Sequence, residues 1–130
     1  MTLPTRRYPD LETVVERVLV NAGIAVHVSR SIPRNIRYRM PFCLIERAGG
    51  PDDGWTDRGV VLVDWLSSQP GVAKAKAEDT RDYLIRTSPL DMWPIDRAET
   101  IAGPQEIPYG DSAVMRWTTT FEIHTRRVTT

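Results

Sequence analysis

The amino-acid sequence predicts an α+β fold, in which two main helices pack against one face of a mostly antiparallel sheet. Three features of the 130-residue chain lead to this prediction. A short apolar run rich in β-branched residues, Val60–Leu66, is typical of a central strand. The hydrophobic period then changes to that of a helix over residues 69–87. Further on, Met115–His124 alternates between apolar and polar residues, which indicates an antiparallel sheet with one face in water.

The first predicted helix spans about residues 10–22. Asp10 can cap its N-terminus, and Gly23 stands where a left-handed residue commonly ends a helix. Six apolar residues recur between them at helical spacing: Leu11, Val14, Val15, Val18, Leu19 and Ala22. Residues 1–9 form a polar lead-in that we expect to be mobile until a partner holds it. Residues 1–130 together have the length of a single domain.

Two strands are predicted between this helix and the central strand. In the first, Ile24–Arg30, the alternation of residues places Val26 on the buried side. The basic stretch Ser31–Met40 is expected to form a loop or ribbon. The second strand, Pro41–Arg47, ends at the breaker cluster Ala48–Pro51. An acidic turn then leads into the central strand.

The second predicted helix, residues 69–87, is expected to lie close to the sheet because its buried face carries small residues. That face consists of Ala73, Ala77, Thr80 and Leu84. We expect Ser67 or Ser68 to cap this helix. Pro70 is expected in its first turn, where a missing backbone N–H is tolerated.

The last part of the chain is predicted to form two strands joined by a turn. The stretch Ala98–Ile107 has weak strand character and is interrupted by Gly103 and Pro104. The closing strand has the clearest alternation. Its expected buried face consists of Met115, Trp117, Thr119, Phe121 and Ile123. Its expected outer face consists of Arg116, Thr118, Thr120, Glu122 and His124.

Composition limits the classes of partner. The 17 basic and 17 acidic side chains cancel, so no overall field attracts nucleic acid or an anionic membrane. A single cysteine allows neither an intrachain disulfide nor a thiolate metal cluster. The N-terminus lacks the apolar core of a signal peptide, and no apolar stretch approaches the roughly 20 residues that span a bilayer. We therefore expect a soluble protein, made in a reducing compartment, without a membrane partner.

Each residue that could take part in catalysis or metal binding also has a simpler interpretation as part of the structure. Cys43 lies in an apolar strand and is expected to be buried and unreactive. His27 and His124 stand on polar strand faces without a clustered acidic partner, which makes a poor zinc site. Gly110–Ala113 is similar to the nucleophile block of a serine-esterase group, but a turn before a strand explains it without catalysis, and we reject the esterase interpretation. We predict no catalytic residue, cofactor or metal, and so no enzyme.

The most distinctive feature that remains is the distribution of charge. The basic loop carries Arg30, Arg34, Arg37 and Arg39. The acidic turn carries Asp52, Asp53 and Asp57, with Trp55 among them. Both segments could simply be solvated loops. Alternatively, the arginines could contact phosphates while Tyr38 stacks on a base. A third interpretation, which net neutrality favours, is head-to-tail assembly of the basic loop of one copy with the acidic turn of the next, anchored by Trp55.

Several stretches together carry a resemblance to a known family. They are the amphipathic helix Asp10–Ala22, the Val26-His27-Val28 strand, Pro41–Gly50, the Val-Asp-Trp strand Val60–Leu66, the Gly103-Pro104 strand and the Thr-rich strand Arg116–Ile123. In this order, over roughly residues 10–128, they resemble the tail terminator (tail completion) proteins of long, non-contractile-tailed phages. The resemblance rests on element order and pattern rather than on a catalytic signature.

The resemblance implies an α+β sandwich of which six copies form a ring. Such a ring binds the last ring of tail-tube subunits, stops tube growth and offers its other face to head-completion (stopper) proteins. Genomic DNA passes through the central hole without specific binding. The resemblance also implies a place in the virion at the head-proximal end of the tail, after synthesis in the host cytoplasm. Another neck component, a stopper or adaptor, is one alternative. A small nucleic-acid-binding module that uses the basic loop is the other.

Overall fold

The computed structural model describes residues 6–87 and 89–129, and it has the predicted α+β architecture. The strands are β1 (Arg6–Arg7), β2 (His27–Ser29), β3 (Phe42–Arg47), β4 (Thr56–Ser67), β5 (Ile95–Ile107), β6 (Met115–Arg126) and β7 (Val128–Thr129). The helices are α1 (Leu11–Asn21) and α2 (Val72–Arg86), and a short 3-10 turn spans Ile36–Tyr38. The main sheet has the strand order β2-β3-β4-β6-β5, while β1 and β7 pair with each other.

The predicted central strand, β4, forms the longest uninterrupted strand pairing in the sheet. Strand β4 pairs with β6 without interruption, from Thr56 opposite Arg126 to Ser67 opposite Met115. The β3–β4, β4–β6 and β5–β6 pairs are antiparallel, whereas β2 runs parallel to β3. The sheet is therefore mostly antiparallel, with one parallel pair at an edge.

The main core lies between the sheet and both helices. Alternate residues of β4 and β6 point toward the helices, among them Val63, Trp65 and Phe121. Helix α1 contributes Leu11, Val14, Val15, Val18 and Leu19. Helix α2 contributes Ala73, Ala77, Thr80 and Leu84, the four residues predicted for its buried face. Burial of Phe121 and Ile123 confirms the predicted orientation of β6. Thr118, predicted on the outer face, is also buried, because it stands opposite the buried Asp64.

A hydrogen-bonded pair joins α2 to the central strand inside this core. The indole Nε1–H of Trp65 donates to Thr80 Oγ1 at 2.9 Å. The Thr80 hydroxyl in turn donates to the carbonyl of Lys76 at 2.8 Å. The buried indole N–H of Trp65 thus has a hydrogen-bond acceptor. The small alanine side chains on the buried face of α2 let Thr80 approach the indole closely.

The other face of the sheet is covered at one end. Phe42, Leu66 and Val114 form a second buried cluster on the face away from the helices. Residues of the basic loop segment and of the β5–β6 turn pack against it, namely Ile36, Met40 and Tyr109. The predicted wet face is therefore wet only toward the opposite end of the strands. Asp64 of the Val-Asp-Trp stretch is also buried on this face, where Arg116 pairs with it.

Two predictions about element ends are wrong. Helix α2 begins at Val72, not at residue 69, because Gly71 adopts φ 80° and interrupts the helical path after Pro70. Neither serine caps it. Ser67 instead ends β4, and its Oγ accepts a hydrogen bond from Gln69 N at 3.1 Å.

The predicted strand Ile24–Arg30 is also too long, since only His27–Ser29 pairs with the sheet. Val26, expected on the buried side, is 82% exposed, whereas Ala25 is buried. The chain leaves α1 in a hydrogen-bonded turn, in which the N–H groups of Ile24 and Ala25 both donate to the Leu19 carbonyl, and the strand begins only at His27. In the predicted lead-in, Arg6–Arg7 forms β1, and residues 1–5 lie outside the described residues.

Candidate functional site

The β3–β4 connection ends in a rigid acidic tip, Asp52–Thr56. The Asp53 carboxylate accepts hydrogen bonds from the backbone N–H groups of Trp55 and Thr56, at 2.9 and 2.7 Å. Asp52 accepts one from Gly54 N at 3.0 Å, and Gly54 adopts φ 87°, a conformation that favours glycine. The two backbone N–H bonds lower the pKa of Asp53 because they stabilise its charged form.

The chain termini hold this tip from one side. Arg127 Nε donates to the carbonyl of Gly54 at 3.0 Å, and its guanidinium lies over the Tyr8 ring at 4.4 Å from the centroid. The Tyr8 hydroxyl reaches Asp52 at 3.4 Å. Tyr8 follows β1 and Arg127 precedes β7, so the paired strands hold these two residues against the tip.

Two exposed tryptophans line a cleft beside the tip. Trp55 is 81% exposed and Trp93 is 66% exposed, and both border a surface cleft of about 610 Å³. Asp96 and Arg126, which also line it, form a two-point ion pair with distances of 2.9 and 3.0 Å. Exposed tryptophan next to arginine is the composition of a protein-binding hot spot. Trp93 and Arg126 were not among the residues singled out in the sequence.

Asp57 is buried, although its place in an acidic turn predicts an exposed side chain. It is 3% exposed and accepts two hydrogen bonds from Arg47, each at 2.7 Å. The hydrogen bonds that Arg47 donates to Asp57 raise the pKa of the Arg47 guanidinium. Asp57 therefore anchors the root of the hairpin, while Asp52, Asp53 and Trp55 remain at its surface.

The four arginines of the basic loop have different environments. Arg30 pairs with Asp10 at 2.8 Å and approaches Glu12 at 3.8 Å, so it fastens the loop to the start of α1. Arg37 lies 3.5 Å from Asp111 in the β5–β6 turn. Arg34 and Arg39 are exposed, and neither forms an ion pair with any residue in 6–87 or 89–129.

The basic loop and the acidic tip are not brought together within one chain. The contact of Arg37 with Asp111 places the loop beside the β5–β6 turn, where β4 ends. The tip precedes the other end of β4, whose 12 residues span roughly 36 Å at the usual rise of a strand. The Arg37 end of the basic loop therefore lies at the end of the sheet away from the acidic tip, whereas Arg30 lies beside the start of α1.

The other chemical candidates are separated or shielded. Burial raises the pKa of the Cys43 thiol, with smaller contributions from Asp64 and Glu16, so the thiol stays protonated. Ser112 stands in the turn before β6, whereas His124 lies near the far end of that strand. The two do not form the nucleophile–base pair that an esterase needs.

One prediction about histidine is wrong. His124 has clustered acidic partners, because Glu122 lies on the same strand face and Glu99 stands opposite Glu122 on β5. The alternation of β6 places Glu122 beside His124, but Glu99 requires the β5–β6 register. That register shifts three times along β5 and cannot be read from the residues alone.

The chain matches no protein-family model. A search of curated proteins also found no match. In the part of the chain that the structure describes, neither helix has both the length and the apolar character needed to cross a membrane.

Proposed function

We propose that this protein is a ring-forming structural component of a phage virion, a tail terminator that caps the tail tube. The observation that supports this best is that the length of β4 separates the exposed Arg37 end of the basic loop from an exposed acidic, tryptophan-bearing tip. Two different complementary surfaces join copies head to tail. A head-to-tail contact closes into a ring when the rotation per copy divides a full turn.

The proposed contact seats Arg34 and Arg39 of one copy against the tryptophan cleft of the next. Guanidinium groups stack favourably on tryptophan faces, at about 0.5–2 kcal/mol each. Tyr38, which is 88% exposed, adds an aromatic ring to the basic side. The tip is already held by its internal hydrogen bonds, so little flexibility is lost when a neighbour docks.

A ring of this kind acts as a cap because its two faces differ. One face matches the open end of the tail tube, and the other lacks a tube-like surface and takes a head-completion protein instead. DNA passes through the central hole. The head-proximal end of the tail in the virion is the corresponding location. The resemblance of the element order in the sequence to that of tail terminators supports this proposal.

The first test is the solution mass over a concentration series, by light scattering, with negative-stain images of the largest species. A sixfold ring has a mass of six times 14.8 kDa, or about 89 kDa. Trp55→Ala, and the double change Arg34→Glu with Arg39→Glu, should each prevent ring formation without unfolding the chain. A matched control reverses two exposed arginines of the helices, Arg17→Glu with Arg86→Glu. Equal loss of assembly in the control contradicts the proposed contact.

Capping is tested separately, because another neck component would share the ring but not the tube end. The protein is added in small amounts to polymerising tail-tube protein from the same virus. A terminator shortens the tubes and is seen at one end of each. A monomer at every concentration that also leaves tube length unchanged contradicts the proposed function.

A nucleic-acid-binding module is the second candidate, favoured by the exposure of Arg34, Arg39 and Tyr38. Arginines that contact phosphates release counterions, so the affinity for single-stranded DNA would fall steeply with salt. The Arg34→Glu, Arg39→Glu variant would abolish this binding, whereas Trp55→Ala would leave it intact. The ring proposal instead requires both variants to lose assembly.

A further inference from the structure

The outer face of the β5–β6 pair gathers three side chains that commonly bind metal ions. Glu99 and Glu122 are direct register partners on the two strands, and His124 follows Glu122 on the same face. One ligand atom from each residue lies within 4.8 Å of the other two. His124 Nε2 is 2.9 Å from Glu122 Oε1. All three side chains are partly exposed, so an ion can reach them from solvent.

Two carboxylates directly opposite each other on neighbouring strands repel, and a shared cation removes that repulsion. The charged neighbours include Arg97 and Arg58, which stand opposite His124 on β5 and β4, and Arg126, which follows on the same face of β6 and pairs with Asp96. Arg97 pairs with Glu99, and Arg58 lies 3.7 Å from Asp53. The Arg97–Glu99 pair is solvent-exposed. Such pairs contribute about 0–1 kcal/mol, so an ion can displace Arg97 at small cost.

We propose that Glu99, Glu122 and His124 bind a divalent transition-metal ion, with Zn²⁺ the closest match. One imidazole nitrogen with two carboxylate oxygens suits zinc, which takes such ligands at about 2.0–2.2 Å. Ca²⁺ and Mg²⁺ prefer oxygen ligands throughout and fit the imidazole less well. Three protein ligands leave a fourth position of a tetrahedral ion for water.

The ion would clip the edge strand β5 to β6. Its ligands must move from a mutual separation of up to 4.8 Å to about 3.4 Å, the spacing around a tetrahedral zinc ion. Rotation about side-chain torsions of two glutamates achieves this without a change in strand register. Strand β5 has three register shifts against β6, so a cross-strand metal stabilises a pairing that is otherwise irregular.

The experiment is isothermal titration of metal-free protein with zinc chloride, paired with a thermal unfolding scan. We expect one ion per chain and a higher Tm with zinc, because an ion that binds only the folded state stabilises it. Glu99→Gln and His124→Gln should each weaken binding at least about tenfold, a conservative bound for losing a ligand. Both changes keep the side-chain size at partly exposed positions, so the Tm without zinc reports whether each variant folds normally.

His27→Gln is the matched control, since the chain has 2 histidines and this one lies on β2. It should bind zinc as the wild type does. The proposal is overturned if the wild type shows no saturable one-to-one binding, if Glu99→Gln binds equally well, or if His27→Gln abolishes binding. The result is independent of the ring, because titration and unfolding are measured on the chain whether or not it assembles.

Discussion

At the scale of single residues, the Arg47–Asp57 pair ties the acidic hairpin to the sheet. Asp57 is buried and both of its oxygens are bonded to Arg47 at 2.7 Å. Asp57→Asn leaves a partly buried guanidinium without its counter-charge, and we expect a loss of about 2–4 kcal/mol in the free energy of unfolding. Urea denaturation of the wild type and the variant measures this loss.

The Asp96–Arg126 pair is the natural control for that measurement. It has similar two-point geometry, but Arg126 is largely exposed. Asp96→Asn should therefore cost less than about 1 kcal/mol. Equal losses from the two substitutions would mean that burial does not distinguish the pairs.

The tip has a pH dependence that follows from Asp53. Its pKa is lowered by the backbone N–H bonds from Thr56 and Trp55. A group whose pKa is lower in the folded state adds stability above its unfolded pKa of about 3.9. That contribution disappears as the pH falls through the lower folded value. We expect the amide signals of Trp55 and Thr56 in NMR spectra to shift in this acidic range.

Asp53→Asn is the control for the titration, because the amide oxygen still accepts the same bonds but does not ionise. The Trp55 and Thr56 signals should then stay constant over that range. An Asp53 carboxyl that titrates at or above the ordinary value would contradict the geometry of the tip.

At the scale of elements, the Trp65–Thr80 hydrogen bond connects β4 to α2. Thr80→Val keeps the shape of the side chain but leaves the buried indole N–H without an acceptor, at a cost of about 1–3 kcal/mol. Thr80→Ser keeps the acceptor. Hydrogen exchange of the Trp65 indole proton should accelerate in the valine variant and stay slow in the serine variant. Equally slow exchange in both would show that this bond does not protect the indole.

Periodicity predicted the elements that pack on one face through many residues. The four buried residues of α2 and the alternation of β6 are correct because a repeated pattern outweighs any single exception. The pattern was too short to place β2, where Ala25 is buried and Val26 is exposed. Helix ends depend on backbone conformation, and the left-handed Gly71 shortened α2 in a way that serine and proline preferences did not indicate.

The candidate sites could be predicted only in part, because they bring together residues that are far apart in the sequence. Local sequence patterns do not show which distant residues meet. Its acidic neighbours in sequence made Trp55 a candidate. Trp93 lies beside Trp55 only because the start of β5 is next to the tip. Glu99 meets His124 only through the β5–β6 register. Similarly, Asp57 looked like Asp52 and Asp53 in sequence, and only the fold turns its carboxylate inward to Arg47.

At the scale of the whole molecule, the net charge is zero, but the exposed charges are unevenly distributed over the surface. The chain has equal numbers of basic and acidic residues, and the length of β4 separates the Arg37 end of the basic loop from the acidic tip. Arg30 and Arg37 already have ion-pair partners within the chain, whereas the exposed Arg34 and Arg39 have none among the described residues. The proposed self-association through two unlike ends is what would distinguish this arrangement from two solvated loops.

A head-to-tail contact makes a specific prediction about mixtures. Trp55→Ala disables the acidic end but keeps the basic loop, whereas Arg34→Glu with Arg39→Glu disables the basic end but keeps the tryptophan. Neither variant should assemble alone. In an equal mixture, one productive contact remains, between the basic loop of the first variant and the tip of the second.

Sedimentation of that mixture, at concentrations where the wild type forms rings, should show a species of twice 14.8 kDa, or about 30 kDa, and nothing larger. The complex stops at two chains because each outer end carries a disabled surface. A contact that used the same patch on both copies would give no such rescue, since each pair would still contain a damaged patch. A mixture that behaves as the separate variants do would therefore rule out the head-to-tail contact, and rings in the mixture would show that assembly uses other residues.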